Sequence, residues 1–280
     1  MNGYERIVAA LELREPDQIP LLEWSVHPDV IEGLCPGADY FDFVEQLDLD
    51  GLTVSGRTSP KHDSYSEPVY VDTWGVTWGR TTEAYAPIEG PIKSQADLRA
   101  LVPPDPNHET LVADVKAAAE RFKGERFIFY SSRAEFQSGC DLRGVPEFLM
   151  DFVANPELAH GVLKVASDYQ CTVLRLAIEA GADGVMLGDD WAHNTSPFMS
   201  PAQFREFILP YFSRAVQTCK EAGGYVIKHS DGNLWPIIDM VVEAGIDGIN
   251  PIQPDAGMEL GEVKRRYGER VCVSGNINCG

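Results

Sequence analysis

The sequence predicts an α/β fold of the (β/α)8 TIM-type barrel, and three observations predict it. First, a short unit recurs: EAGADGVMLG from Glu179, EAGIDGINPI from Glu243, KEAGGYVIKH from Lys220 and LDLDGLTVSG from Leu47 each read as a helix end, a glycine stop and an apolar strand. Second, the apolar runs are short and nearly continuous, as strands covered on both faces require. Third, helical stretches separate most of them, and β and α units alternating at this spacing build a parallel sheet.

Taken in order, the candidate strands are 18–24 (QIPLLEW), 51–56 (GLTVSG), 126–132 (RFIFYSS), 184–189 (GVMLGD), 225–230 (YVIKHS), 248–252 (GINPI) and 271–276 (VCVSGN). Residues 155–180 carry Leu158, Val162, Val165, Tyr169, Val173 and Leu176 at steps of three and four, which predicts a helix with one apolar face. Residues 200–222 open with Ser200-Pro201-Ala202-Gln203, a capping box with proline at the first helical position. Pro210 falls inside that helix and predicts a kink. Residues 57–93 interrupt the rhythm with β-branched and aromatic residues between glycine turns, and read as a β-hairpin insertion on the second β-to-α loop of a single 1–280 domain. The chain stops at GNINCG, directly after the seventh strand, so the last β/α unit of the barrel is expected to be missing.

A formal net charge of -20 argues against a nucleic-acid surface, which needs a basic stripe. No apolar run approaches the roughly 18 residues of a membrane span. The N-terminal MNGYERIVAALELREPD reads as an amphipathic helix with charges throughout, unlike a signal peptide. The six cysteines are scattered without a C-x-x-C pair, the pattern of reduced thiols in a cytoplasmic protein. An acidic barrel of this kind is expected as a monomer or homodimer.

Catalytic groups of β/α barrels sit at the C-terminal ends of the strands. Read that way, the first strand ends in Glu23 and Trp24 with His27 beyond, the second in Ser55 and Arg57, the third in Ser131, Ser132, Arg133 and Glu135. The fourth ends in Asp189, Asp190, Trp191 and His193, the fifth in Lys228, His229 and Asp231, the sixth in Asn250 and Gln253, the seventh in Asn276, Asn278 and Cys279. His, Asp and Cys from separate strand ends suit a zinc site, which takes N, S and O ligands. The carboxylates at 189 and 190 suit acid–base chemistry instead. Neighbours in a strand face opposite ways, so at most one of the two points inward. Structural alternatives stand beside these: His193 as a cap, Asp231-Gly232 as a turn or helix cap, and Cys272 as a core thiol. Trp74 and Trp78 either pack the insertion or wall a pocket for an apolar or aromatic substrate.

Three stretches carry a family resemblance: RIVAALELREPDQIPLLEW, GADGVMLGDDWAHNTSPFMSPAQFREFILPYF, and the run from Ile227 to Asn278 beginning IKHSDGNLWPIIDM. Together the chain resembles the uroporphyrinogen decarboxylase superfamily, which holds the decarboxylases and the corrinoid-dependent methyltransferases, both on (β/α)8 barrels. The decarboxylases carry an arginine-rich loop after the first strand; here that place reads EWSVHPDV, without arginine. The methyltransferase branch commonly carries His-x-Cys at the end of the fifth strand, where it binds zinc with a later thiolate. Here the motif is His229-Ser230-Asp231, so the histidine matches and aspartate replaces cysteine. The resemblance implies methyl transfer between a small methylated substrate and a corrinoid protein, zinc-assisted through His229, Asp231 and Cys279. Asp189, His229 and Asp231 are the expected catalytic groups, and Glu23, Trp24, Arg133, Trp191 and Asn276 the expected substrate contacts. The alternative is cofactor-independent uroporphyrinogen decarboxylation, with Asp189, Asp190 or Asp231 on pyrrole N–H groups and Arg57, Arg133 and Lys228 on carboxylates. A further alternative is a non-catalytic barrel that binds a ligand or partner.

Overall fold

A computed structural model describes residues 1–56, 68–81 and 85–277 of the chain. The nine strands among the described residues are β1 (Gly51–Ser55), β2 (Val69–Val71), β3 (Thr77–Arg80), β4 (Tyr85–Glu89), β5 (Phe127–Arg133), β6 (Gly184–Gly188), β7 (Tyr225–His229), β8 (Gly248–Asn250) and β9 (Cys272–Val273). Six of them form one sheet in the order β1-β5-β6-β7-β8-β9, every pair parallel. Helices alternate with these strands, as the glycine-stop repeats predict. The long helix Pro156–Glu179 has the expected apolar face, burying Leu158, Val162, Val173 and their neighbours.

Residues 18–24 form no strand, contrary to the sequence reading. The physical reason lies in Asp50. Its Oδ2 accepts the Leu21 N–H at 2.7 Å, and its own N–H donates to the Leu21 carbonyl at 2.9 Å. A side chain therefore takes the place of a ladder beside a segment that contains Pro20, which has no N–H to give. The insertion also differs from the expected hairpin: β2, β3 and β4 make a three-stranded antiparallel sheet, with an irregular register between Thr77 and Trp78. At the second predicted helix, the Ser200–Gln203 capping box is present. Just before Pro210 the helix passes through a π-helical turn, Phe204–Ile208, and resumes as an α-helix at Leu209.

Two apolar layers flank the sheet, and they set the phase of every strand. Phe127, Phe129, Met186 and Ile227 form the inner layer, closed below by Ile7 and Leu11 of the N-terminal helix. Ile128, Tyr130, Val185, Leu187, Val226 and Ile249 face the helices in the outer layer. Continuing this alternation upward puts Gly188, Asp190 and His229 in the inner phase, and Asp189 and Lys228 in the outer phase.

Candidate active site

Asp190, His229 and Asp231 meet at the C-terminal end of the parallel sheet. One ligand atom from each lies within 4.8 Å of the others. His229 Nε2 stands 3.7 Å from Asp190 Oδ1, and that same oxygen accepts the Asp231 N–H at 2.9 Å. The opposite imidazole nitrogen, Nδ1, sits 2.7 Å from Asn250 Oδ1. An amide oxygen can only accept, so Nδ1 carries the proton and Nε2 presents its lone pair to the two carboxylates. Asn250 is held in turn by Ser274 Oγ at 3.4 Å. Such an outer partner fixes the tautomer of a metal-binding histidine. Burial, helped by the Lys228 charge, pushes the His229 imidazole below its ordinary range. Burial and the Asp190 carboxylate push Asp231 above its own. The donor set is one nitrogen and two carboxylates, which suits a divalent ion.

Trp24 forms the wall beside the imidazole, with ring centroids 3.9 Å apart, and its Nε1 donates to Ser131 Oγ at 2.8 Å. Gly188 makes room for this ring, because a Cβ there would lie 2.8 Å from Trp24 ring carbons. The turn after His229 has a similar constraint: Gly232 has φ +87°, and a Cβ would lie 2.5 Å from the Ala192 backbone. Its N–H is held by Gln253 Oε1 at 2.8 Å.

Asp189, expected as a catalytic group, does not join this cluster. It lies behind the sheet, 1% exposed, where its carboxylate accepts from the Phe136 and Gln137 N–H groups at 3.1 and 2.6 Å and from Trp191 Nε1 at 2.8 Å. Burial raises its pKa to about 6. Lys228 shares that environment. Its ammonium donates to the Asp189 carbonyl at 2.7 Å and to the carbonyl of His229, and rests 3.9 Å from the Trp191 ring centroid. Burial lowers its pKa to about 8. Lys228 thus ties together the ends of β6 and β7 from behind, while the residues just beyond it project forward.

Other expected contacts are also displaced. Trp191 is fully buried against Phe204 and Phe212 rather than lining a pocket. Glu23 is exposed, one position out of phase with Trp24. Arg133 pairs with Asp141 at 3.0 Å and stacks on Trp78, away from the cluster. Asn276 has φ +75° and donates to the Ile252 carbonyl at 2.7 Å, which fixes the loop after β9. His193 Nδ1 accepts the Thr195 N–H at 3.4 Å, the capping role set beside it from sequence. Cys279, Asn278 and Arg57 lie outside the described residues. Asn250 is the member whose role sequence reasoning missed; its place at a strand end was the available signal.

Comparisons with known proteins agree on the family. A sequence model described as uroporphyrinogen decarboxylase (URO-D) matches residues 70–279. The uroporphyrinogen decarboxylase of Aromatoleum aromaticum is 29% identical over 207 residues, 68% of this chain and 55% of its own. That of Methylibium petroleiphilum is 28% identical over 208 residues, 67% of this chain and 53% of its own. The chain therefore spans about half the length of the curated relatives it matches. Among solved structures, a methyltransferase from Methanosarcina mazei superposes with a TM-score of 0.78, covering 99% of this chain and 83% of its own at 18% identity. That likeness concerns the barrel fold. The matched length, with the barrel and its strand-end residues, shows that the chain belongs to the uroporphyrinogen decarboxylase (URO-D) family.

Proposed function

We propose that the protein transfers a methyl group between a small methylated substrate and a corrinoid protein, with a zinc ion held by Asp190, His229 and Asp231. The single observation that carries this reading is the convergence of those three donors with His229 Nε2 left free by Asn250. The residues fit the metal: an imidazole with a fixed tautomer, two carboxylates of different exposure, and net negative charge that a cation would relieve. Bound there, the ion supplies Lewis acidity toward the oxygen or nitrogen that carries the methyl group. Asn250 orients the imidazole, Trp24 covers one flank of it and limits water, and Lys228 keeps the two strand ends in register. In this proposed metal set Asp190 stands with His229 and Asp231, where the sequence reading had Cys279, and among the expected catalytic groups it takes the place of Asp189.

Metal analysis of the purified protein tests this, repeated on His229→Ala and Asp190→Asn. Stoichiometric zinc in the wild type, lost in both variants together with methylation of cob(I)alamin by a methylated oxygen or nitrogen compound, is the expected result. Zinc-free protein that retains methyl transfer removes the metal from the proposal. A second reading, decarboxylation of uroporphyrinogen, is favoured by the names of the curated relatives. It needs cations facing the substrate carboxylates; of the three named for it, Lys228 is buried behind the sheet, Arg133 is paired with Asp141, and Arg57 lies outside the described residues. Turnover of uroporphyrinogen by metal-free protein would establish it. Neither activity, and no binding of a corrinoid protein, leaves the barrel as a ligand-binding module.

A further inference from the structure

Ser230 separates His229 from Asp231 and continues the outer phase of β7, 2% exposed. Its hydroxyl works in both directions: Oγ accepts the Trp191 N–H at 3.0 Å and donates to the Asp231 carbonyl at 3.0 Å. Its own N–H donates to the Asn250 carbonyl at 3.0 Å. Two positions earlier, Lys228 donates to the Asp189 carbonyl at 2.7 Å. The peptide groups on either side of Asp190 are therefore both held by side chains from β7, the first by Lys228 and the second by Ser230. Ser230 alone of the two also holds the backbone of Asp231. The Asp231 N–H in turn donates to Asp190 Oδ1 at 2.9 Å, which closes a ring of contacts around the two carboxylate residues.

Asp190 and Asp231 come from different strand ends, and Asp231 lies past the last residue of β7. Like charges repel, so the chain has to impose the spacing of the pair. We infer that Ser230 is a positioning residue that sets the separation of Asp190 and Asp231 for a divalent ion. It acts through the backbone on both sides and does not touch the ion itself. The inference rests on the proposed metal set and adds to it a residue on the opposite face of the sheet. A hydroxyl suits the place, because one group must accept from the Asp190 side and donate to the Asp231 side. Alanine would do neither and would leave the buried Trp191 N–H without an acceptor. Outer partners of this kind hold metal ligands in their productive geometry.

Competition with a chromophoric chelator measures the zinc affinity of the full chain, and Co(II) loaded in place of zinc reports the ligand field. Ser230→Ala should weaken zinc by about tenfold or more and change the visible Co(II) spectrum. Ser167→Ala is the control for stability alone. It removes another buried hydroxyl, 0% exposed on the helix Pro156–Glu179, where it meets Cys171 and Arg214. It should leave zinc affinity and the Co(II) spectrum as in wild type. Unchanged zinc affinity and spectrum in Ser230→Ala would overturn the inference while the metal set stands. A wild-type chain that takes up neither ion removes the metal set, and the inference falls with it. If Ser230→Ala does not fold, Ser230→Thr and Ser230→Val decide, since they match in shape and only threonine keeps the hydroxyl. Threonine should then bind zinc about tenfold or more tighter than valine, and equal affinities would overturn the inference.

Discussion

Asp189 and Lys228 sit one residue before Asp190 and His229 on neighbouring strands, yet the two pairs occupy different media. Behind the sheet, Lys228 is 0% and Asp189 1% exposed, and every polar atom there is judged by whether it has a partner. At the mouth, the Asp190 side chain keeps 45% of its surface and His229 12%. Behind, the ammonium, carboxylate and indole close on one another and on backbone carbonyls, so the arrangement fixes geometry. In front, two carboxylates and an imidazole face each other at the half-open mouth, and the proposed metal reading rests on them. The difference teaches that the strand end is an address with two sides, and that a single step along the chain exchanges scaffold for chemistry.

The contrast can be broken hardest at Lys228. Lys228→Met removes the cation from a buried set and leaves carbonyls and carboxylates without it, so urea unfolding should show a loss of about 3–5 kcal/mol. An unchanged midpoint would mean the rear set carries no weight. The same substitution on adjacent residues sharpens the point. Asp189→Asn should lose about 2 kcal/mol through its charge-assisted bonds to the Phe136 and Gln137 amides. Asp190→Asn should stay within about 0.5 kcal/mol of wild type while abolishing zinc retention in dialysis. Asn250→Ala should keep the fold and weaken zinc by about tenfold, through a freed imidazole.

A further effect is one of pH. Glu135, 0% exposed, has both oxygens without a partner, and burial followed by the Asp189 charge raises its pKa to about 8. The folded state therefore holds a proton that the unfolded chain releases near the ordinary glutamate value of 4.5. Its contribution is complete below that value and is lost as pH rises through about 8. Glu135→Gln should flatten this slope and gain about 1 kcal/mol at pH 8, read from thermal or urea melts at several pH values.

Much of this was legible in the sequence. The glycine stops after Ala180, Ala222 and Ala244 announced the parallel strands that follow, because a C-capping glycine and an apolar run are local features. His229 and Asp231 were recoverable because they lie at and just past a strand end. The phase of β6 was not. Val185 and Leu187 are as apolar as Met186, since a strand buried on both faces has no polar side to mark it, and so Asp189 and Asp190 could not be told apart. Lys228 and His229 were confounded for the same reason. Residues 18–24 looked like a strand because their composition is one; that Asp50, some thirty positions away, would occupy the ladder position is a tertiary fact.

That first stave has a mechanical consequence. Laddered strands share load through every amide, whereas residues 18–24 are moored at Leu21 and, by the Thr53 hydroxyl 3.4 Å away, at the Glu23 carbonyl. Deuterium uptake should accordingly run ahead at 22–24 of that in β5 to β7. Trp24 belongs to this sparsely tied segment, so the cover of the imidazole hangs on few backbone bonds and on the indole's own bond to Ser131 Oγ at 2.8 Å.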